Sequence, residues 1–164
     1  PANNHVDTFL DHGVEHLWTY YCCGQGEDVS NRFMAMPSAR NRILGAQLFK
    51  YHIEGFLQWG YNFWYSMLSK RPIDPYAETG AEDAFLVYPG PDGEPVPSIR
   101  QLVFHEGLQD LRALQLLEQK LPHEAIVALL EQDGAVKFKE YPRTSQAVLA
   151  MRERVNRKIQ ELWG

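Results

Sequence analysis

Three short runs rich in aromatic and β-branched residues, separated by helical and loop segments, constrain this chain most. Residues 17–23 (LWTYYCC) are continuously apolar or aromatic. They predict a strand buried on both faces, as in parallel sheets. Residues 55–61 (GFLQWGY) predict a second such strand, and residues 84–88 (AFLVY) a short third one. Strands alternating with helices imply parallel pairing through right-handed crossovers, so the fold class expected is α/β. A complete eight-stranded (β/α) barrel needs about 250 residues. At 164 residues the chain has the grammar of only its last third.

The helices follow from apolar spacing. Val6, Phe9 and Leu10 mark the end of a helix over 3–12, with Gly13 as a natural stop. Ser38 is placed to cap a helix over 38–53, with Leu44, Leu48 and Tyr51 on its stripe and Gly55 ending it. Ser98 and Gln101 have capping-box spacing for a helix running to about Gln119. Its stripe is Ile99, Val103, Leu111, Leu114 and Leu117; Gly107 interrupts it at about 1 kcal/mol relative to Ala, which predicts a close packing partner. A short helix over 123–132 stops at Gly134, and Val148, Met151, Val155, Ile159 and Leu162 stripe a last helix over 145–163. Residues 66–84, with Pro72, Pro75 and Gly80, read as a long loop, and 89–93 (PGPDG) as a turn.

Composition excludes several classes. Lys plus Arg is 16 and Asp plus Glu 21, a formal charge of −5, which argues against a nucleic-acid grip. The longest aliphatic run, 125–130, is far short of the ~20 apolar residues that span a bilayer. The segments at hand show no targeting signal; this leaves the location open, with a soluble, cytoplasmic protein favoured and secretion neither shown nor excluded. Position 1 is Pro, which predicts a fragment or a trimmed product. Cys22 and Cys23 are adjacent inside an aromatic run and read as two small apolar residues rather than a redox pair.

The chemistry-bearing signal is aromatic. Eight of the twenty aromatics fall within residues 49–65, and Trp18, Tyr20 and Tyr21 add to them on the preceding strand. Each alone is equally explained as core. Those at strand carboxyl ends would face a ligand, because parallel α/β sheets bind there. Trp and Tyr pair a flat apolar face with one polar handle, which suits a sugar ring. Trp59, Tyr61, Asn62 and Trp64 are the first candidates, and Asn62 can both donate and accept among them. His12-Gly13-Val14-Glu15-His16 matches the H-x-x-E-H zinc pattern, but Gly13 sits inside it and a strand follows at once. The expectation is therefore no metal centre and no cofactor. No carboxylate pair stands at strand ends. Glu15 and Glu54 precede strands and belong at the opposite face, while Arg100, Glu106 and Asp110 read as a structural network on one helix. Asp74 and Asp83, in or beside the long loop, are weaker ligand candidates.

Five blocks in order, LWTYYCC (17–23), SNRFMAMPSARNRILG (30–45), GFLQWGYNFW (55–64), DAFLVYPGPDG (83–93) and SIRQLVFHEGLQDLRALQLLE (98–118), resemble the carboxyl-terminal part of the catalytic domain of glycoside hydrolase family 123, also described as domain of unknown function 4091. The resemblance implies the carboxyl-terminal portion, about three β/α units, of a TIM-type (β/α)8 barrel over 1–120, with helices over 121–164 packed on it. It implies a retaining β-N-acetylgalactosaminidase that uses the substrate's own 2-acetamido group as nucleophile, assisted by an adjacent Asp-Glu pair. No such pair stands at a strand end here: Glu27-Asp28 and Glu82-Asp83 have the reverse order. The chain is thus expected to carry no catalytic residue, and to supply the sugar-binding wall through Trp18, Tyr20, Trp59, Tyr61, Asn62, Trp64 and Tyr88.

The partners expected are an amino-sugar glycoside and the amino-terminal remainder of the barrel, with neither nucleic acid nor membrane. A partial barrel exposes an edge strand and interior side chains, which predicts self-association. Two other readings stay open on the residues alone. One is a non-catalytic carbohydrate-binding or structural partial-barrel module; the other is a zinc hydrolase at His12 and His16.

Overall fold

The computed structural model describes residues 1–58, 60–62 and 86–164. A 3-10 turn at Asn3–His5 runs into α1 (Val6–Asp11), followed by strand β1 (Trp18–Tyr21). Helices α2 (Ala39–Arg42) and α3 (Leu44–Lys50) lead to β2 (Gly55–Gln58). Strands β3 (Val87–Pro89) and β4 (Pro95–Pro97) precede α4 (Ile99–Glu118), α5 (His123–Leu130) and α6 (Ser145–Trp163).

β1 and β2 pair in parallel, with Trp18 opposite Gly55 and Tyr20 opposite Leu57. On its other edge β1 receives residues 1–2: Ala2 bridges Tyr20 in parallel, and Pro1 O accepts from Tyr20 N and Thr19 Oγ1. Parallel neighbours therefore follow one another in chain order, with helix between each pair. β3 does not join them as a parallel strand. It forms an antiparallel ribbon with β4, although Leu86 N and Val87 N both donate to Tyr61 O, just past the end of β2. β4 has no counterpart among the expected strands, because Pro95 and Pro97 argue against one; at a ribbon edge they are tolerated.

The strand reading of 17–23 needs correction. Only four of its residues are extended, Cys23 already opens a 3-10 turn, and burial alternates instead of covering both faces. Thr19 and Tyr21 are buried, Tyr21 packing edge-on to Phe56, while Trp18, Tyr20 and Leu57 face solvent. The Trp18 ring lies over Gly55, where a Cβ would sit 2.1 Å from a ring carbon. Gly55 thus makes room for an indole rather than ending a helix.

The segment expected as one helix over 38–53 is two. Ser38 is itself in helical geometry, so its side chain caps nothing, and α2 and α3 meet at Ile43. Residues 44–49 are buried on every side. α3 sends Ala46 and Phe49 toward Leu114, Leu117, Ile126 and Val155 of the later helices, and Leu44 and Leu48 toward Val6, Leu17 and Tyr21 at the sheet. A helix apolar all round is a buried helix. Gln47 is its polar exception, satisfied by Ser30 Oγ and Lys137 O.

α4 begins as expected, with Ser98 Oγ accepting from Gln101 N. Its stripe holds at Leu114 and Leu117, but Ile99 is exposed. Gly107 meets Gly45: a Cβ on Gly45 would stand 1.8 Å from Gly107 O. Asp110 receives Arg42 and Arg152 at 2.7 and 2.8 Å, and Glu106 lies 3.6 Å from Arg42. The hydrogen bonds that Arg42 donates to Asp110 raise its pKa against the opposing effect of burial. These acids form ion pairs as the sequence suggested, but with arginines of other helices rather than with Arg100 on their own. The last helix also follows its pattern, with Val148, Met151 and Val155 buried and Ile159 and Leu162 packed beside them. No described helix is long and apolar enough to cross a membrane.

Glu131, after α5, accepts from Lys50 Nζ at 2.7 Å and Val136 N at 2.8 Å. Burial alone would raise its carboxyl pKa, but these donors outweigh it and the net shift is downward. Its contribution to stability is therefore complete above the unfolded carboxyl value and is lost as pH falls through the lower folded value. The native chain is expected to lose stability between about pH 5 and pH 3, and Glu131→Gln to flatten that loss. Urea midpoints measured across that interval check it; an unchanged slope contradicts it.

Candidate functional site

The carboxyl ends of β1 and β2 are where a parallel sheet presents ligands, and the loop after β1 is unusual for a loop. Val29, Ser30, Asn31 and Arg32 are at most 1% exposed. Buried polar groups must be satisfied, and here the described bonds join the loop to distant residues as well as to its own neighbours. Asn3 Nδ2 donates to Ser30 O, and Asn31 Nδ2 to Cys22 O. Asn31 Oδ1 accepts both Arg32 N and Arg32 Nη1 at 2.9 Å. The Arg32 guanidinium lies 5.3 Å above the Tyr21 ring, a cation–π arrangement.

Arg100, on the first turn of α4, binds this loop to the ribbon. Its Nη1 donates to Arg32 O at 3.0 Å and its Nη2 to Tyr88 Oη at 2.7 Å. Asn41 of α2 donates to Arg100 O and accepts from Tyr21 Oη at 2.7 Å. Burial raises the Tyr21 pKa, an effect only partly offset by Arg32 and Arg100. The phenol therefore stays neutral and donates. Farther along the loop, Arg40 donates to Tyr141 Oη and to Glu27 O and Val29 O. The acceptors described around these guanidiniums are backbone carbonyls, one amide and two phenols. Such a set holds polar groups in fixed orientations.

The expected wall residues divide. Tyr20 lies one residue from the end of β1, on the open face beside Leu57, and is 37% exposed. Tyr61 and Asn62 follow β2 and are exposed, and Tyr61 O is bound by the segment entering β3. Tyr88 sits half-buried on that ribbon with its hydroxyl held by Arg100. Trp18 is on the same face as Tyr20 but at the amino end of β1. Trp59 and Trp64 lie outside the described residues, as do Asp74, Asp83 and the whole of the loop expected over 66–84. Sequence reasoning missed Asn31, Arg32 and the bridging part of Arg100. The available signal was three polar residues, 30–32, in the loop that follows a strand's carboxyl end.

The two histidines of the H-x-x-E-H segment do not share a helix face. His12 Nδ1 bonds Thr8 O at the end of α1, whereas His16, in left-handed geometry at φ 54°, bonds Glu54 at 2.9 Å. Gly13 ended the helix between them, and His16 and Glu54 stand at the amino ends of the strands, opposite the Arg100 network.

Comparison with known proteins gives one family. The model described as "Glycoside hydrolase 123, catalytic domain" matches residues 1–117. No curated protein matches the chain.

Proposed function

The chain belongs to the glycoside hydrolase 123 catalytic-domain family, and from that membership we propose that it is the carboxyl-terminal part of a (β/α)8 barrel that walls an amino-sugar pocket. The acid/base pair of the hydrolase is supplied by residues outside this chain. The observation carrying this reading is the open sheet face of Trp18, Tyr20 and Leu57, which are 61%, 37% and 54% exposed on one side of a parallel pair whose other side is sealed by helices. In a closed barrel the side chains facing away from the helices fill the interior in layers. The consecutive parallel order of residues 1–2, β1 and β2 supports the same topology, since a doubly wound sheet reverses its strand order.

The substrate class follows from the family and from the wall chemistry: aromatic faces at Tyr20 and Tyr61, with Asn62 and Tyr88 as polar partners. The reaction proposed for the whole barrel is retaining hydrolysis of a β-N-acetylhexosaminide, with the acetamido oxygen as nucleophile. This chain's share is to orient the sugar.

Two measurements test it. The purified chain should not hydrolyse an aryl N-acetyl-β-galactosaminide, and it should bind N-acetylgalactosamine with a change in tryptophan fluorescence. Tyr20→Ala should weaken that binding roughly tenfold, the effect of losing one stacking surface. Turnover by this chain overturns the division of labour. Absence of any sugar response overturns the binding wall and leaves a structural piece.

A further inference from the structure

We propose that His52, Glu118 and His123 form a binding site for a divalent cation of the zinc, cobalt or nickel class, which clasps the carboxyl-terminal helices to the turn before β2. One ligand atom from each lies within 4.8 Å of the other two. Donors sharing an ion at about 2.1 Å stand roughly 3–4 Å apart, so small side-chain rotations close the set. Two imidazoles and one carboxylate are the ligand types these metals take, and water completes the sphere.

The bonding of His123 carries the argument. Its Nε2 lies 3.1 Å from Lys50 O, an acceptor only, so Nε2 carries the hydrogen. Its Nδ1 lies 2.9 Å from a Glu118 carboxylate oxygen, also an acceptor. With the hydrogen on Nε2, Nδ1 turns its lone pair toward the Glu118 oxygen and the His52 ring, where one cation can be shared by all three donors. His52 is stacked on His123 with ring centroids 3.9 Å apart and planes 27° apart, and its backbone is left-handed at φ 50°. Lys50 O fixes the His123 tautomer, the outer-shell support that metal-binding histidines usually have.

The location sets the role. His52 follows α3 and lies at the amino ends of the parallel strands, away from Tyr20 and Tyr88. Glu118 closes α4 and His123 opens α5, both beyond the residues matched by the family model. His52 and Glu118 are exposed, so an ion can enter from solvent. The ion would join two segments separated by more than sixty residues of sequence, and its effect is on stability and docking, not on the sugar site. The spacing 52, 118, 123 resembles no sequence motif, which is why only the folded chain shows it.

The test uses the tag-free full chain, stripped with chelator and melted with and without metal. Zinc at a hundredfold excess over its Kd should raise Tm by roughly 5–10 °C, and magnesium should not. His52→Gly removes one ligand and relaxes the left-handed position, so its metal-free Tm should equal or exceed that of the native chain while most of the zinc shift disappears. Glu118→Gln should also lose the shift, and one equivalent of cobalt should give a visible d–d band in the native chain alone. No zinc shift, or an equal shift in His52→Gly, overturns the site.

Discussion

Gly45→Ala is expected to abolish cooperative folding of this chain at 37 °C. The added methyl would stand 1.8 Å from Gly107 O, 2.8 Å from Gly107 C and 3.2 Å from Leu111 N. All three are backbone atoms in the middle of α4, so no side chain can turn aside. The two helices must separate, and the seam they share carries Ile43, Ala46, Ala113 and Leu114, each at most 9% exposed. Opening it forfeits contacts along both helices, and a loss of about 4 kcal/mol or more is expected from a total of about 5–15 kcal/mol. Gly107→Ala provides the contrast. Its methyl would meet Arg42 O at 2.8 Å, a single tight contact, and α4 gains about 1 kcal/mol of helix propensity. Gly107→Ala should fold with a modestly lower denaturant midpoint. Equal stability of the two variants would contradict the packing account.

What was legible in the sequence is what local periodicity encodes. The stripe of α6 and the Ser98 cap of α4 could be read because each depends on residues within a few turns of each other. Even Gly107 was readable as a sign of close approach, though not its partner Gly45. The rest depends on distant residues. Continuous apolarity over 17–23 cannot tell a face covered by helices from one left open, so Trp18 and Tyr20 looked as buried as Tyr21. Ser38 looked like a cap because the sequence does not reveal that its own backbone is already helical. The polar run 30–32 read as an ordinary loop, since its burial comes from Asn3, Gln47 and Arg100, the last of these 68 residues from Arg32. His52 and His123 were invisible for the same reason.

Arg100→Met should lower stability by about 3 kcal/mol and, if the proposed wall binds sugar, weaken that binding more than any substitution on the wall itself. The side chain is 5% exposed and donates to Arg32 O and Tyr88 Oη from separate nitrogens. Met is similar in reach but offers no donor, so a buried carbonyl and a half-buried phenol lose this partner at up to about 1–3 kcal/mol each, part of which the apolar replacement recovers by packing. The positional effect is larger than the energetic one. Arg100 is the described link between the buried loop after β1 and the ribbon bearing Tyr88. Without it the Tyr88 hydroxyl loses this tie to Arg32 O, and a loosened wall pays the ordering cost on binding. Arg100→Lys separates the two effects. It keeps the charge, but one ammonium lacks the planar fork that reaches both acceptors, so stability should fall less than in Arg100→Met while sugar affinity falls nearly as far. Urea midpoints and fluorescence titrations on the same samples read both quantities. If affinity tracks stability one for one across the two variants, Arg100 holds the fold and not the wall.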